Sequence, residues 1–193
     1  LDLLTQDFLG FHVSGGTMEV LLVTPDAEHI LSVRRLAATL DISAGQLIDR
    51  VGVRLGLPFP AGPHLERLAR EGTLLSRRPI RLKDGCCNLS GMENVLTKML
   101  EQGTAPADVA RFLLDYLAQV LCAMTRFAQK EAGPLPVVYS GGVLCNTFIR
   151  ETLSQMPENP EAIFAKPEFS SDNAAGVAVL GSLLFQKEGR EAP

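Results

Sequence analysis

The sequence lacks several features by which whole classes of protein are recognised. No apolar run in its 193 residues approaches the roughly 18 to 20 needed to cross a bilayer, and no leader pattern opens it, so we predict a cytoplasmic protein. The four cysteines include no Cys-x-x-Cys pair and do not cluster with a histidine, which argues against a zinc ribbon or a disulfide scaffold and favours reduced thiols. The net charge is only −4, so any contact with nucleic acid must be local.

Apolar residues, in contrast, are abundant enough to form the core of one domain, at 46% of the chain. Three apolar runs joined by short turns come first, and they predict an antiparallel meander of strands over 8–13, 18–24 and 29–36. A helix is predicted to follow over 47–55, with Gly56 as its stop signal.

Helical spacing then continues from 57 to 130. Pro63 suits the start of a short helix, Ser90 and Glu93 form a capping box for a second, and apolar residues recur every 3.6 positions from Val109 to Phe127. The last third alternates strands at 135–139 and 162–165 with helices at 146–155 and 172–187. This order is that of the ribonuclease-H-like unit of actin-type folds. We therefore predict an α/β, actin-like ATPase (ASKHA) lobe, formed by 1–56 and 131–193, with 57–130 as a helical insert.

Two Ser-Gly-Gly tripeptides are candidate ligand sites. Ser14-Gly15-Gly16 falls in the first predicted hairpin turn, and Ser140-Gly141-Gly142 falls between a predicted strand and the helix that carries Asn146. Glycine lets the backbone approach phosphate or adenine, and ligands of α/β sheets bind at the carboxyl ends of strands. The alternative is that both tripeptides are turns that need glycine for their geometry alone.

Two further patterns also have a functional and a structural interpretation. Asp172 opens the last predicted helix, where a carboxylate serves either as an N-cap or as a metal ligand. Six basic residues lie within one short segment, where they either contact RNA phosphates or form a solvated surface. They are Arg67, Arg70, Arg77, Arg78, Arg81 and Lys83.

Six sequence blocks, taken together and in order, resemble one family. The first three are Val-Ser-Gly-Gly at 13–16, Thr-Leu-Asp with Gly45 and Asp49 at 39–49, and Leu-Gly-Leu with Pro-Ala-Gly-Pro at 55–63. The other three are Leu-Ser-Gly at 89–91, Ser-Gly-Gly-Val with Asn146 and Arg150 at 140–150, and Ser-Asp-Asn-Ala-Ala at 171–175. This set is similar to the threonylcarbamoyl-transferase family that modifies transfer RNA, long labelled O-sialoglycoprotein endopeptidase or glycoprotease. The blocks cover nearly the whole chain and match the carboxy-terminal lobe of that family.

The resemblance implies a site for threonylcarbamoyl-adenylate, ATP or ADP. The first Ser-Gly-Gly turn would line it, both Ser-Gly-Gly turns would lie beside one cleft, and a carboxylate and an amide would meet the ribose hydroxyls. The residues implied to bind the ligand are His12, Val13, Ser14, Gly15, Gly16, Asp49, Gly62, Gly141, Gly142 and Asn146.

The resemblance also implies a metal and partners. Asp172 would be one ligand of a divalent iron or zinc ion in the full-length protein. The histidine ligands of the family form a His-x-x-x-His helix upstream of the first Ser-Gly-Gly turn, and this chain has no such motif, so we expect no tightly bound metal on it alone. The implied partners are tRNA and the subunits of a threonylcarbamoyl-transfer complex, including an actin-like paralogue. A lobe without its second lobe is further expected to self-associate.

The predicted activity is transfer of a threonylcarbamoyl group to the adenosine next to the tRNA anticodon, with this chain inactive by itself. The alternative is a non-catalytic actin-like paralogue that binds nucleotide or a partner. Asp49, Asn146 and Asp172 favour the transferase. Departures from the family's usual residues favour the alternative, and they are Thr17, Ile42, Gln46 and Glu93.

Overall fold

Five strands form one mixed sheet in a computed structural model that describes residues 3–157, 162–170 and 174–191. β1 (Phe8–Val13), β2 (Met18–Asp26) and β3 (Ile30–Ala38) form the predicted antiparallel meander. β4 (Val137–Ser140) and β5 (Ala162–Phe164) extend the sheet in parallel from the other side of β1. The order is therefore β3-β2-β1-β4-β5, and β1 lies at its centre.

Alternation along β1 determines which face of the sheet meets the core. Leu9, Phe11 and Val13 are buried, and the residues between them are half-buried on the opposite face. The ring of Tyr139 on β4 lies 5.0 Å from the ring of Phe11 and 5.0 Å from that of Phe164 on β5. These aromatic contacts join the meander to the two parallel strands.

The helical segment packs on this same core. It contains α1 (Ala44–Arg54), α2 (Gly62–Glu71), α3 (Ser90–Glu101) and α4 (Pro106–Ala132). The helix predicted from apolar spacing is α4, which is 27 residues long and carries buried residues from Val109 to Ala128. Because strands and helices contribute to one cluster of buried residues, the division of the chain into three segments stays a prediction.

The capping box predicted at Ser90 and Glu93 is wrong. α3 begins at Ser90, and its N-cap residue, Leu89, makes no capping hydrogen bond with its side chain. Instead the Ser90 hydroxyl and the Ser90 and Leu89 amides donate to the carboxylate of Asp41, at 2.6, 3.0 and 2.8 Å. A carboxylate from the connection between β3 and α1 therefore satisfies the start of α3, which no local pattern reveals.

The four cysteines form no disulfide, as predicted. The thiol of Cys87 is buried and donates to the sulfur of Met18 at 4.0 Å. Burial raises the pKa of the Cys87 thiol to about 11, so this group behaves as part of the core. The free cysteines are Cys86, Cys87, Cys122 and Cys145.

The carboxy-terminal part adds α5 (Thr147–Ser154) and α6 (Ala174–Glu191). The predicted helix start at Asp172 lies outside the described residues. α6 carries apolar residues on all sides and exposes Val177, Val179 and Phe185. Within the parts of the chain that the structure describes, no helix is long and apolar enough to cross a membrane.

Candidate functional site

A cavity of about 610 Å³ lies where α1, the start of α2 and both Ser-Gly-Gly turns meet. This volume lies in the range of sites for cofactor-sized ligands. The lining residues come from four separate stretches of sequence: Gly15, Gly45, Ile48, Asp49, Phe59, Pro60, Gly62, Pro63, Glu66, Gly142, Val143, Cys145 and Asn146.

The first Ser-Gly-Gly turn is held in place by hydrogen bonds on both sides. Ser14 N donates to Thr17 O at 2.8 Å, and Thr17 N donates to Ser14 Oγ at 3.1 Å, which closes the turn. The turn is then fixed to the start of α1, because Gly45 N donates to Ser14 O at 3.3 Å and Ser43 Oγ donates to Gly15 O at 2.6 Å. The position of this turn therefore depends on the cap of α1.

The close contact between this turn and α1 requires glycine at position 45 of the helix, but it does not require glycine in the turn. A Cβ on Gly45 would lie 2.6 Å from Gly15 Cα and from Ser14 O, too close for any side chain. A Cβ on Gly15 or Gly16 would meet no atom within 4 Å, and neither residue has a positive φ. The space beside these two glycines is open.

The second Ser-Gly-Gly turn is built differently. Ser140 Oγ donates to Phe11 O at 2.9 Å, which ties the end of β4 to β1. Gly141 has a φ of 103°, and a Cβ there would lie 2.3 Å from Val13 O. Gly142 has open space around its Cβ position and lines the cavity. Only Gly141 is therefore required by the geometry of the chain.

Asp49 lies one helical turn after Gly45 on the side of α1 that faces the cavity. Its Oδ1 accepts from Ala61 N at 2.9 Å, which fixes the loop before α2. Its other oxygen accepts from no residue that the structure describes. One half of this carboxylate thus has a structural role, and the other half is available to a ligand.

Asn146 approaches from the opposite side, as the N-cap of α5. Its Oδ1 accepts from Ile149 N at 3.0 Å, and the residue is only 8% exposed. Its side-chain NH2 group donates to no described residue, so this group is the donor that Asn146 offers to the cavity. A carboxylate that accepts and an amide that donates match a hydroxyl, which does both.

Glu66 was missed by the sequence analysis and joins the two sides of the cavity. It accepts from Thr147 N at 3.1 Å and from the Thr147 hydroxyl, and Arg70 Nη2 lies 3.3 Å from it. These bonds connect α2 to the first turn of α5. No sequence pattern marks Glu66. Phe59 and Cys145 were also missed, although Phe59 directly precedes the proline-rich block and Cys145 directly precedes Asn146.

Half of the ten residues that the resemblance implies line the cavity: Gly15, Asp49, Gly62, Gly142 and Asn146. The other half support it or lie apart from it: His12, Val13, Ser14, Gly16 and Gly141. The Val13 side chain is fully buried in the core, so it offers a ligand no contact. The ligand roles of all ten stay predictions.

The described residues do not by themselves form a metal site, since no three of their His, Cys, Asp and Glu side chains come together as ligands. His29 pairs with Asp26 at 3.3 Å, and Nδ1 of His64 lies 2.7 Å from Arg67. Asp172, the predicted ligand, lies outside the described residues. Its role stays a prediction.

The four departures from the family's usual residues have structural roles, and none lines the cavity. Thr17 closes the first turn, and Gln46 completes a capping box whose Ser43 Oγ accepts from Gln46 N at 3.2 Å. Glu93 accepts from Arg50 at 2.9 Å and from Arg54 at 3.4 Å, which joins α1 to α3. Ile42 packs against the core. These departures therefore leave the cavity wall intact.

The arrangement of strands and helices has a known counterpart among solved structures. The chain matches HypF of T. kodakarensis with a TM-score of 0.71 and 17% identity, over 94% of this chain and 34% of that one. At this identity the likeness shows the fold alone. The fold is that of an actin-like, ASKHA-type α/β lobe, as the order of elements predicts.

The chain belongs to the TsaD family, tRNA N6-adenosine threonylcarbamoyltransferase, whose sequence model matches residues 4–179. It is 33% identical over 187 residues to the probable bifunctional tRNA threonylcarbamoyladenosine biosynthesis protein of Methanocaldococcus jannaschii, over 96% of this chain and 34% of that protein. It is 33% identical over 192 residues to the tRNA N6-adenosine threonylcarbamoyltransferase of Persephonella marina, over 94% of this chain and 54% of that enzyme. The chain spans about a third of one relative and about half of the other.

Proposed function

We propose that the cavity binds the adenylate part of threonylcarbamoyl-adenylate, or ATP or ADP, within a tRNA threonylcarbamoyl transferase. The observation that carries this proposal is the convergence of Asp49 and Asn146, which are distant in sequence, on one cavity with both Ser-Gly-Gly turns. Turn geometry alone does not require that convergence. A nucleotide site does.

The polar groups of the cavity suit a ribose. A ribose presents two neighbouring hydroxyls, each of which donates one hydrogen bond and accepts others. The unbonded oxygen of Asp49 accepts from one hydroxyl, and the NH2 group of Asn146 donates to the other. Both side chains are held by backbone amides, Asp49 by Ala61 N and Asn146 by Ile149 N, so little side-chain freedom is lost when the ligand binds.

The glycines of the two turns suit phosphate. The amides of Gly15 and Gly16 donate to no described residue, and no side chain blocks the approach to them. Gly142 is equally open on the other side. Free backbone N–H groups beside open space bind phosphate oxygens without the steric barrier of a Cβ.

The order of these groups along α1 matches the order of parts in a nucleotide. Gly45 contacts the first turn, Asp49 follows, and Gly52 lies against the Ala61 loop, where a Cβ on Gly52 would be 2.1 Å from Ala61 Cβ. From Gly45 to Gly52 the helix rises about 10 Å, at roughly 1.5 Å per residue. Phosphates at the turn, ribose at Asp49 and base beyond it fit this distance.

In the proposed reaction the exocyclic amine of the adenosine next to the tRNA anticodon attacks the carbamoyl carbon. A carbon–nitrogen bond forms, the carbon–oxygen bond to phosphate breaks, AMP leaves with the bonding electron pair, and the amine loses a proton. The part of this chain is to hold the AMP leaving group in one orientation through its ribose and phosphate. The proposed substrate implies a cytoplasmic location.

Contact with tRNA phosphates is proposed for the segment between α2 and α3. Arg77 is paired with Asp115 at 3.2 Å. Arg78, Arg81 and Lys83 are exposed and form no ion pair with any residue in the described ranges. Unpaired cations on an exposed segment are the groups that neutralise phosphates.

Asp172 is proposed as one ligand of a divalent metal, which would polarise the carbamoyl carbonyl as a Lewis acid when bound. Metal analysis tests this on the full-length protein that the family resemblance implies, with and without Asp172→Ala. Unchanged metal content would leave Asp172 as a helix cap only. The proposed partners are subunits of a threonylcarbamoyl-transfer complex, including an actin-like paralogue, and a second copy of this chain through the exposed apolar residues of α6.

ADP binding by calorimetry tests the nucleotide proposal, with Asp49→Asn as the variant. The asparagine keeps an acceptor for Ala61 N but replaces the free oxygen with a donor, so we expect at least about a tenfold loss of affinity. Asp108→Asn is the matched control, because Asp108 also accepts from one backbone amide, Thr73 N at 2.7 Å, and lies away from the cavity. Equal binding by Asp49→Asn and the unchanged chain would contradict the proposal.

A further inference from the structure

Phe59 lines the cavity and is 77% exposed. A single exposed aromatic side chain is ordinary on a protein surface, so exposure alone carries no function. Phe59 differs in its position, because Pro60 and Pro63 continue the same wall and give this end of the cavity an apolar character.

The loop that carries Phe59 is fixed from two directions. Asp49 Oδ1 accepts from Ala61 N at 2.9 Å, and the absence of a side chain on Gly52 lets Ala61 approach α1 closely. Phe59 itself does not belong to the cluster of residues packed on the core. The backbone beneath the ring is therefore held, and the ring is left free at the edge of the cavity.

We propose that Phe59 stacks on the base of the nucleotide and selects a purine over a pyrimidine. The inference rests on the proposed function, because Asp49 places the ribose. With the phosphates at the glycine turns on one side of Asp49, the base falls on the other side, where Phe59 and Pro60 lie. A purine covers more of an aromatic ring than a pyrimidine does, and stacking strength follows the shared area.

The sequence contains no tryptophan, which makes a direct probe available. Phe59→Trp introduces the only indole of the chain at the edge of the cavity, and we expect ADP to quench its fluorescence in a saturable way. Phe185→Trp is the matched control, since Phe185 is also 77% exposed and lies on α6, away from the cavity. Its fluorescence should not respond to ADP.

Affinity measurements complete the test. Phe59→Ala should lower ADP affinity about tenfold and reduce the preference for ADP over CDP, whereas Phe59→Tyr, which keeps the ring, should preserve both. The side chain is exposed, so the thermal midpoint of Phe59→Ala should equal that of the unchanged chain. A chain that loses ADP affinity on Asp49→Asn but not on Phe59→Ala would overturn the stacking role and leave the nucleotide site. A chain that binds no ADP at all would overturn both.

Discussion

The two Ser-Gly-Gly turns share a sequence but differ in what holds them and in what needs their glycines. Ser14 closes its own turn, and the glycines after it have open space. Ser140 ties its strand to β1, and Gly141 is pressed against Val13 with a positive φ. The same three letters thus leave open space beside the backbone in one place and are required mainly by the chain in the other. Whether a Cβ would fit distinguishes the two uses.

The largest effect is expected where the chain itself needs glycine. Gly141→Ala must place a Cβ 2.3 Å from Val13 O at a φ of 103°, so we expect a loss of about 3 kcal/mol or more in the free energy of unfolding. Urea denaturation measures it. Gly142→Ala is the neighbouring control and should unfold close to the unchanged chain. A normal midpoint for Gly141→Ala would show that the two turns do not differ in this way.

A smaller loss in the free energy of unfolding is expected from Asp41→Asn, in the connection that supports the first turn. The Asp41 carboxylate accepts from Ile42 N at 2.7 Å and from the start of α3, so it fixes the connection that carries Ser43. Replacing its charge should cost about 2 kcal/mol in the free energy of unfolding. Asp108→Asn, which removes the charge from an aspartate that caps a single amide, should cost less.

The contribution of Asp41 should depend on pH. Burial raises the pKa of Asp41. Hydrogen bonds from the Ser90 hydroxyl and from the Leu89 and Ser90 amides lower the pKa by more than burial raises it, so the net pKa is below the ordinary 3.8. A carboxyl whose pKa falls on folding stabilises the protein above pH 3.8, and this contribution is lost as the pH falls through the folded pKa. The stability difference between the unchanged chain and Asp41→Asn should therefore shrink in acid. The loss of stability caused by Ser140→Ala, in the second turn, should not change with pH.

Ser43 and Ser140 should differ modestly in what their hydroxyl groups contribute to the free energy of unfolding. Ser43→Ala removes both the cap on Gln46 N and the hydrogen bond to Gly15 O, so we expect a loss of about 1.5 kcal/mol. Ser140→Ala removes one hydrogen bond, to Phe11 O, and should cost about 1 kcal/mol. Thermal unfolding of both variants in one buffer compares them. A larger loss for Ser140→Ala would reverse the expected ranking.

The smallest effects on stability belong to the open glycines. Gly16→Ala and Gly142→Ala should each change the free energy of unfolding by no more than about 0.5 kcal/mol, because their Cβ atoms meet nothing. ADP affinity should nevertheless fall for Gly142→Ala, which lines the cavity. If neither variant affects ADP binding, the open space beside these glycines does not serve a ligand.

Elements with strong local patterns could be predicted from the sequence, and contacts between distant elements could not. β1 has the predicted bounds, and α4 follows the apolar stripe from Val109 to Phe127, because strand alternation and helical spacing are local properties. The prediction of a capping box at the start of α3 failed because Asp41, far upstream in the sequence, takes the place of a local cap. A Ser-x-x-Glu pattern and a Ser-x-x-Gln pattern both occur, and only the second, at Ser43, forms the box.

The candidate site shows the same limit. Asp49, Asn146 and the glycine turns could be found because each stands in a recognisable block. Glu66 could not, since its partner Thr147 comes from another helix and the two meet only after folding. Phe59 was within reach, because an aromatic residue directly before Pro60, in a loop that the resemblance implies to lie at the ligand site, is itself a signal.

The central position of β1 also affects how a newly made chain must fold. One edge of β1 is paired by β2 after a single short turn, but the other edge waits for β4, which follows the entire helical segment. At about 5 to 20 residues per second, a ribosome leaves that edge unpaired for roughly ten seconds. An apolar strand with an open edge is a template for pairing with other nascent chains. A holding chaperone present during synthesis is therefore expected to raise the yield of folded chain, whereas a ligand for the cavity can act only after β4 has emerged.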